Sequence, residues 1–322
     1  MTVDPLVNEA ASPFLSKYPF HVLTLDGGGS KGVYSLGALK EFEARIGKPL
    51  AEHFDLIYGT STGAIIASLL ALGMSVSEIE DRYFRLIPPV MKKRFRRTRT
   101  RSLEICLRGF FGDKRFDHFG PHIGIVATNY ERARPFIFKN YEDQAFRGKV
   151  TFVPGFGCKI ADALMASCAA FPFFKRQFTQ TQNLGSPELM DGGFVANNPT
   201  LFAIADAIQA LGIPRNSLRI LSVGVGHYNE PQKTWYSRFI FNLWPFKMIE
   251  KEFATNTNTI ETMRQIFFSD IPTVRVDGYY PDQQYETDLL EANPQKLRRL
   301  FVLGQESCRM QEDEITQKLL NG

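Results

Sequence analysis

Phe54-Asp55-Leu56-Ile57-Tyr58-Gly59-Thr60-Ser61-Thr62-Gly63-Ala64-Ile65-Ile66-Ala67 decides how this chain folds. An apolar, β-favouring run breaks into a glycine-bracketed turn and passes directly into small and branched apolar residues, a strand, tight turn and helix. Upstream the same order occurs: His21-Val22-Leu23-Thr24-Leu25 leads into Asp26-Gly27-Gly28-Gly29-Ser30-Lys31-Gly32 and a helix-like stretch. Two such units in succession give the βαβ rhythm of a mostly parallel sheet. Gly59-Thr60-Ser61-Thr62-Gly63 fits G-x-S-x-G, in which the glycines permit a sharp turn that exposes one serine hydroxyl at a helix N-terminus. That makes Ser61 the candidate nucleophile. The upstream glycine run offers a row of backbone N–H groups able to hold a developing oxyanion, from Gly27, Gly28 and Gly29, aided by the positive end of the helix beginning near Gly32.

Plainer readings stand beside these. Ser61 could be the N-cap of an ordinary strand–helix turn. Gly27-x-Gly29-x-x-Gly32 also matches a dinucleotide-binding fingerprint, which asks for an acidic residue about twenty positions on, at the end of the second strand. Here the second strand leads instead into Gly59-Thr60-Ser61.

The 322 residues suffice for one large α/β domain or two small ones. The net charge of +4 is local: Lys92, Lys93, Arg94, Arg96, Arg97, Arg99 and Arg101 lie in one run without an acid, and without these seven, 31 basic residues face 34 acidic ones. The run has three readings: a solvated, partly disordered segment, a contact with anionic lipid headgroups, or a site for the phosphates of a nucleotide activator. A wholly basic nucleic-acid-binding surface, and with it a nucleic-acid polymer as partner, is not expected. The four cysteines, Cys106, Cys158, Cys168 and Cys308, form no C-x-x-C pair, which suggests reduced thiols in a cytosolic protein and no metal site. Residues 1–18 read as a polar leader without a signal peptide. The apolar run Ala64–Leu72 is too short to span a bilayer, so membrane contact is expected to be peripheral, at the inner membrane of a cytoplasmic protein.

Ser75 or Ser77 caps a helix running to Leu86 that Pro88-Pro89 should stop. Residues 88–120 then read as a basic insertion or mobile segment over the sheet. Ile123–Thr128 and Pro135–Lys139 read as strands, Ile160–Ala170 as a small-residue helix, Thr200–Leu211 as a helix capped by Asn197 or Asn198, and Leu218–Val225 as a buried strand. Residues 231–322 read as mainly helical and packed on the same domain. They include the apolar Phe239–Phe246 patch, a core or oligomer contact or an interfacial element, and a C-terminal helix interrupted near Gly304.

The motifs Asp26–Gly32, Gly59–Gly63 and Asp191-Gly192-Gly193, together with Ala166-Ser167-Cys168-Ala169-Ala170-Phe171-Pro172 and Ala196-Asn197-Asn198-Pro199, resemble the patatin-like phospholipase family across residues 20 to 226. The resemblance implies a three-layer α/β/α fold with a mostly parallel central sheet and a helical C-terminal extension. The catalytic domain would cover residues 19–230. It implies a Ser–Asp dyad of Ser61 and Asp191, with Lys31, Gly32, Gly59, Gly63, Gly192 and Gly193 as motif support and no cofactor. A carboxylate shielded from water becomes a better proton acceptor, which lets Asp191 act as base without a histidine. His227 follows Asp191 in sequence and is the alternative third member of a triad. The family's anion-hole motif usually ends in Arg-Gly, and here it reads Lys31-Gly32, which loses the planar two-pronged donor. The expected activity is ester hydrolysis in membrane phospholipids. A chain of this kind also resembles the phospholipase effectors of bacterial cyclic-oligonucleotide antiviral signalling, which implies a cyclic oligonucleotide activator and a homo-oligomer as candidate partners. The alternative from another class is a non-catalytic lipid- or nucleotide-binding module on the same fold.

Overall fold

The computed structural model describes residues 19–142, 153–182, 184–229 and 244–321; the 1–18 leader and residues 239–243 of the apolar patch lie outside them. From the N-terminus, β1 (Phe20–Leu25) leads into α1 (Gly32–Ile46), and β2 (Leu56–Thr60) into α2 (Thr62–Ala71). Next come α3 (Val76–Met91), α4 (Arg96–Phe111), β3 (His122–Asn129), β4 (Arg134–Lys139) and β5 (Val153–Gly155). The middle of the chain adds α5 (Ile160–Ser167), β6 (Gln177–Phe178), β7 (Glu188–Asp191), α6 (Gly193–Ala196), α7 (Thr200–Ala205) and β8 (Leu218–Val223). The last third holds β9 (His227–Tyr228), α8 (Trp244–Phe267), β10 (Thr273–Val276), β11 (Tyr279–Tyr280), α9 (Pro294–Met310) and α10 (Glu312–Ile315).

The main sheet runs β10-β8-β1-β2-β3-β4-β5, with β7 added antiparallel to the end of β3. From β10 to β3 every pairing is parallel. Because strand side chains alternate, Leu23, Ile57 and Ile125 face one helical layer while Val22, Leu56 and Val126 face the other. The first layer is built around α1 to α5 and α9, and the second around α6, α7 and Ile260 of α8. This is the three-layer α/β/α arrangement with a mostly parallel sheet. Both glycine motifs lie at the C-terminal ends of parallel strands, β1 and β2, where such sheets open to ligands.

α3 and the segment 88–120 differ from expectation, and the mainly helical last third adds a strand. α3 does not stop at Pro88-Pro89 but runs through both to Met91. The prolines fall in its last turn, and a proline that lacks its N–H keeps its carbonyl, so Lys92 N–H still bonds to Pro88 O at 3.1 Å. The segment 88–120 is built around α4, which buries Leu103, Leu107 and Phe111 against the first layer. The last third also supplies a strand, because β10 extends the sheet beside β8.

Gly304 does not interrupt the C-terminal helix. α9 passes through it and ends at Met310. A Cβ at Gly304 would lie 2.0 Å from the Tyr34 carbonyl oxygen, and one at Gly37 would lie 1.9 Å from that of Phe301. The two glycines let α9 cross α1 backbone to backbone. Helix propensity alone favours Gly304→Ala by about 1 kcal/mol. The crossing predicts the opposite sign, a loss of about 1–3 kcal/mol by urea denaturation.

Candidate active site

β2 ends at Thr60, and Ser61 takes φ 53° and ψ −119°, a backbone conformation that side-chain-bearing residues rarely adopt. The turn is tight because its glycines touch backbone. A Cβ at Gly59 would sit 2.5 Å from Gly63 O, and one at Gly63 2.3 Å from Leu25 O. Ser61 N–H donates to Ser167 Oγ at 2.9 Å, and Ser167 Oγ–H donates to Val126 O at 2.6 Å. A residue at the end of α5 thereby anchors the elbow to β3.

β7 brings Asp191 to the same place. Its N–H bonds to Ala169 O at 3.2 Å and its carbonyl accepts from Thr128 Oγ1 at 2.8 Å. Asp191 Oδ2 accepts the Ser61 hydroxyl at 2.7 Å, and Oδ1 accepts Gly193 N–H at 2.8 Å. Gly192 has no room for a side chain, since a Cβ there would meet Val126 O at 2.3 Å, and a Cβ at Gly193 would meet the Phe253 ring at 2.8 Å. Burial pushes the Asp191 carboxyl up to about 7, although the Gly193 N–H and the Ser61 hydroxyl both pull it down. A carboxylate so placed can take the Ser61 proton near neutral pH.

Gly28 and Gly29 line a cavity together with Ser61 and Asp191. The remaining wall is almost wholly apolar, including Leu86, Ile87 and Val90 of α3, Leu103 of α4, Phe173 and Phe174. Among the described residues neither the Gly28 nor the Gly29 N–H has an acceptor. Gly27 is corrected: its N–H donates to Asn197 O at 3.0 Å and is not available to an oxyanion. Gly29 adopts φ +57° and lies so close to Leu289 that a Cβ would meet its carbonyl at 2.4 Å. Gly32 likewise leaves room only for Thr62 Oγ1 and the Tyr83 hydroxyl. Cys168 also lines the cavity, and burial raises its thiol far above the ordinary value, so it stays protonated beside Ser61.

The third residue of a triad is not His227. Its Nε2 lies 3.1 Å from Asp277 Oδ2, and it lines a neighbouring pocket with Lys31 that does not include Ser61 or Asp191. Among the described residues the Lys31 side chain makes no hydrogen bond to the glycine loop, though its N–H donates to Gly28 O at 3.1 Å. That loop is held instead by residues without a sequence signature. Arg275 of β10 donates to both oxygens of Asp26, at 2.9 and 2.5 Å, and to Asp277 at 2.6 Å. Burial pushes Asp26 up to about 6 against the pull of Arg275. Burial would also raise Asp277, but Arg275 and His227 outweigh it and hold that carboxyl below the usual range. On the far side, Ser30 donates from N–H and Oγ to Leu289 O at 3.1 and 2.9 Å.

The basic run is divided. Arg99 is buried, donating to Phe173 O at 3.1 Å and Lys93 O at 2.6 Å, so it is corrected from an anion-binding candidate to a packing residue. Arg101 pairs with Glu104 at 2.9 Å. Lys92, Lys93, Arg94, Arg96 and Arg97 are exposed. Among the described residues no cluster of His, Cys, Asp or Glu could hold a metal ion, and no described helix is long and apolar enough to cross a membrane.

The family model described as patatin-like phospholipase matches residues 23–204. A "cUMP-AMP-activated phospholipase" of Escherichia coli is 46% identical over 299 residues, covering 93% of each chain. A "cGAMP-activated phospholipase" of Vibrio cholerae is 29% identical over 241 residues, covering 65% of this chain and 64% of its own. Among solved structures, VipD from Legionella pneumophila gives a TM-score of 0.46 at 12% identity, covering 92% of this chain and 67% of that one.

Unfolded, Asp191 releases its proton near 3.8, and folded it does so near 7. Between those values the folded state holds the extra proton, so raising the pH across that window lowers stability. Asp191→Asn removes this loss: its melting temperature exceeds the parent's on the alkaline side of the window, and the gap closes as pH falls to the acid side. Arg275→Met strands the buried Asp26 and Asp277 and destabilises the chain by about 3–5 kcal/mol in urea.

Proposed function

The chain belongs to the patatin-like phospholipase family, and on that premise we propose that it is a serine acyl hydrolase of phospholipase A type working through a Ser61–Asp191 dyad. The observation that carries this reading is the 2.7 Å contact between Ser61 Oγ and a buried carboxylate with a raised proton affinity. Ser61 Oγ attacks the ester carbonyl carbon and its proton passes to Asp191 Oδ2. The oxyanion is met by Gly28 and Gly29 N–H; one such donor is typically worth about 3–4 kcal/mol in the transition state. When the tetrahedral species collapses, the C–O bond to the alcohol breaks and the leaving oxygen takes the proton from Asp191. Water then attacks the acyl-enzyme, giving its proton to Asp191, and the acid leaves as Ser61 Oγ regains a proton. The apolar cavity suits an acyl chain, which supports a lipid ester over a polar one.

The cyclic nucleotides in the names of two relatives support a cyclic oligonucleotide activator for this chain, with cUMP-AMP the first to test. Such an enzyme would work in the cytoplasm, peripherally on the inner membrane, in antiviral defence. The pairing of Ser61 with Asp191 speaks against a purely binding module.

Ser61→Ala is expected to cut fatty-acid release from phospholipid vesicles by a factor on the order of 10⁴ or more, and Asp191→Asn by about 10²–10⁴. Both are read by lipid analysis of the products. Full activity in a folded Ser61→Ala chain would refute the mechanism. With the parent chain, cUMP-AMP should raise the rate over a panel of other cyclic dinucleotides. Equal, high activity without any of them would contradict the regulation.

A further inference from the structure

We propose that the surface joining the end of α3 to the start of α4, with the Phe171–Lys175 turn, is the face on which the chain docks to an anionic phospholipid bilayer. This rests on the lipid-hydrolase reading for its purpose but not for its geometry. The chain leaves the wall of the catalytic cavity at Met91 and returns to it at Leu103. No acidic residue occurs between Arg82 and Leu103. Lys92, Lys93, Arg94, Arg96 and Arg97 are exposed in that interval, and Lys175 is exposed beside it. Lys175 is tied to α4 by its N–H, which donates to Thr100 Oγ1 at 3.0 Å.

The charge is interleaved with exposed aromatic rings. Phe95 is 67% exposed and Phe171 45%, in a protein that buries most of its large apolar side chains. The Arg96 guanidinium lies 5.2 Å from the centre of the Phe171 ring, so the two rings and the cations share one surface. Cations for headgroups and rings for the boundary below them are the composition of an interfacial element. A purely solvated charge run has no use for two open phenylalanines, and a free phosphate would need none.

The patch is also linked to the cavity wall through Arg99. Arg99 turns inward from the same run, lies 5.9 Å from the centre of the Phe174 ring and donates to Phe173 O at 3.1 Å. Phe173 and Phe174 line the cavity that holds Ser61. A lipid drawn out of a bilayer on this face would therefore meet the apolar wall directly.

The test is vesicle co-sedimentation of the full chain carrying Ser61→Ala, so that binding is read without hydrolysis, with and without cUMP-AMP. Vesicles are phosphatidylcholine alone or mixed with phosphatidylglycerol. Each basic residue near an anionic leaflet strengthens binding about fivefold at moderate salt. The Ser61→Ala chain should bind the mixed vesicles and not the neutral ones. Adding R96E and R97E should weaken binding at least about tenfold, and Phe95→Ser should weaken it independently of salt. Unchanged melting temperatures show that the variants fold. Failure of the Ser61→Ala chain to bind mixed vesicles both with and without cUMP-AMP would overturn the proposal, as would binding by both variants as tight as that of the Ser61→Ala chain. Neither result bears on Ser61 as nucleophile, which is judged by product release.

Discussion

One contact organises this molecule: the Ser61 hydroxyl against the buried Asp191 carboxylate at the wall of the cavity. A carboxylate in water is too weak a base to help a serine, and a buried one is held back by the cost of its own charge. Asp191 sits between these limits because two donors, the Gly193 N–H and the Ser61 hydroxyl, offset part of the burial. The unfavourable backbone at Ser61, worth about 1–3 kcal/mol in such cases, is held in place by Ser167, which ties the elbow to β3 while its carbonyl accepts Gly192 N–H at 3.3 Å. One serine thus bonds both the turn that carries Ser61 and the turn that follows Asp191.

The last third of the chain carries no motif and yet completes the site. Arg275 braces the front of the glycine loop through Asp26, and Leu289 braces its back through Ser30. Asn197 takes up the Gly27 N–H, while Gly28 and Gly29, whose N–H groups have no acceptor among the described residues, line the cavity. Lysine at position 31 is compatible with a firm loop because the fork that fixes it comes from β10.

Much of this was legible in the sequence, for identifiable reasons. Strand–turn–helix signals around Gly27 and Gly59 are local, so the parallel sheet and the tight turn at Ser61 followed from periodicity and glycine placement. Asp191 required the resemblance to a family, since Asp-Gly after a strand is otherwise an ordinary turn. Which glycine N–H is free depends on a partner 170 residues away, and no local pattern reports that. Arg275 sits in a four-residue strand, Thr273–Val276, too short to show alternation. Gly304 looked like a helix breaker because its reason is a neighbouring backbone rather than its own φ. The basic run looked uniform, but helical geometry turned Arg99 inward and left Arg96 and Arg97 outside.

The most direct measurement is the pH dependence of covalent labelling of Ser61 by a fluorophosphonate, followed by mass spectrometry in the parent chain and in Asp191→Asn. If the buried carboxylate activates the serine, the labelling rate rises through about pH 7 in the parent, and in the variant it is low and flat across the same range. Equal labelling of the two chains, or attachment at a residue other than Ser61, would contradict the account.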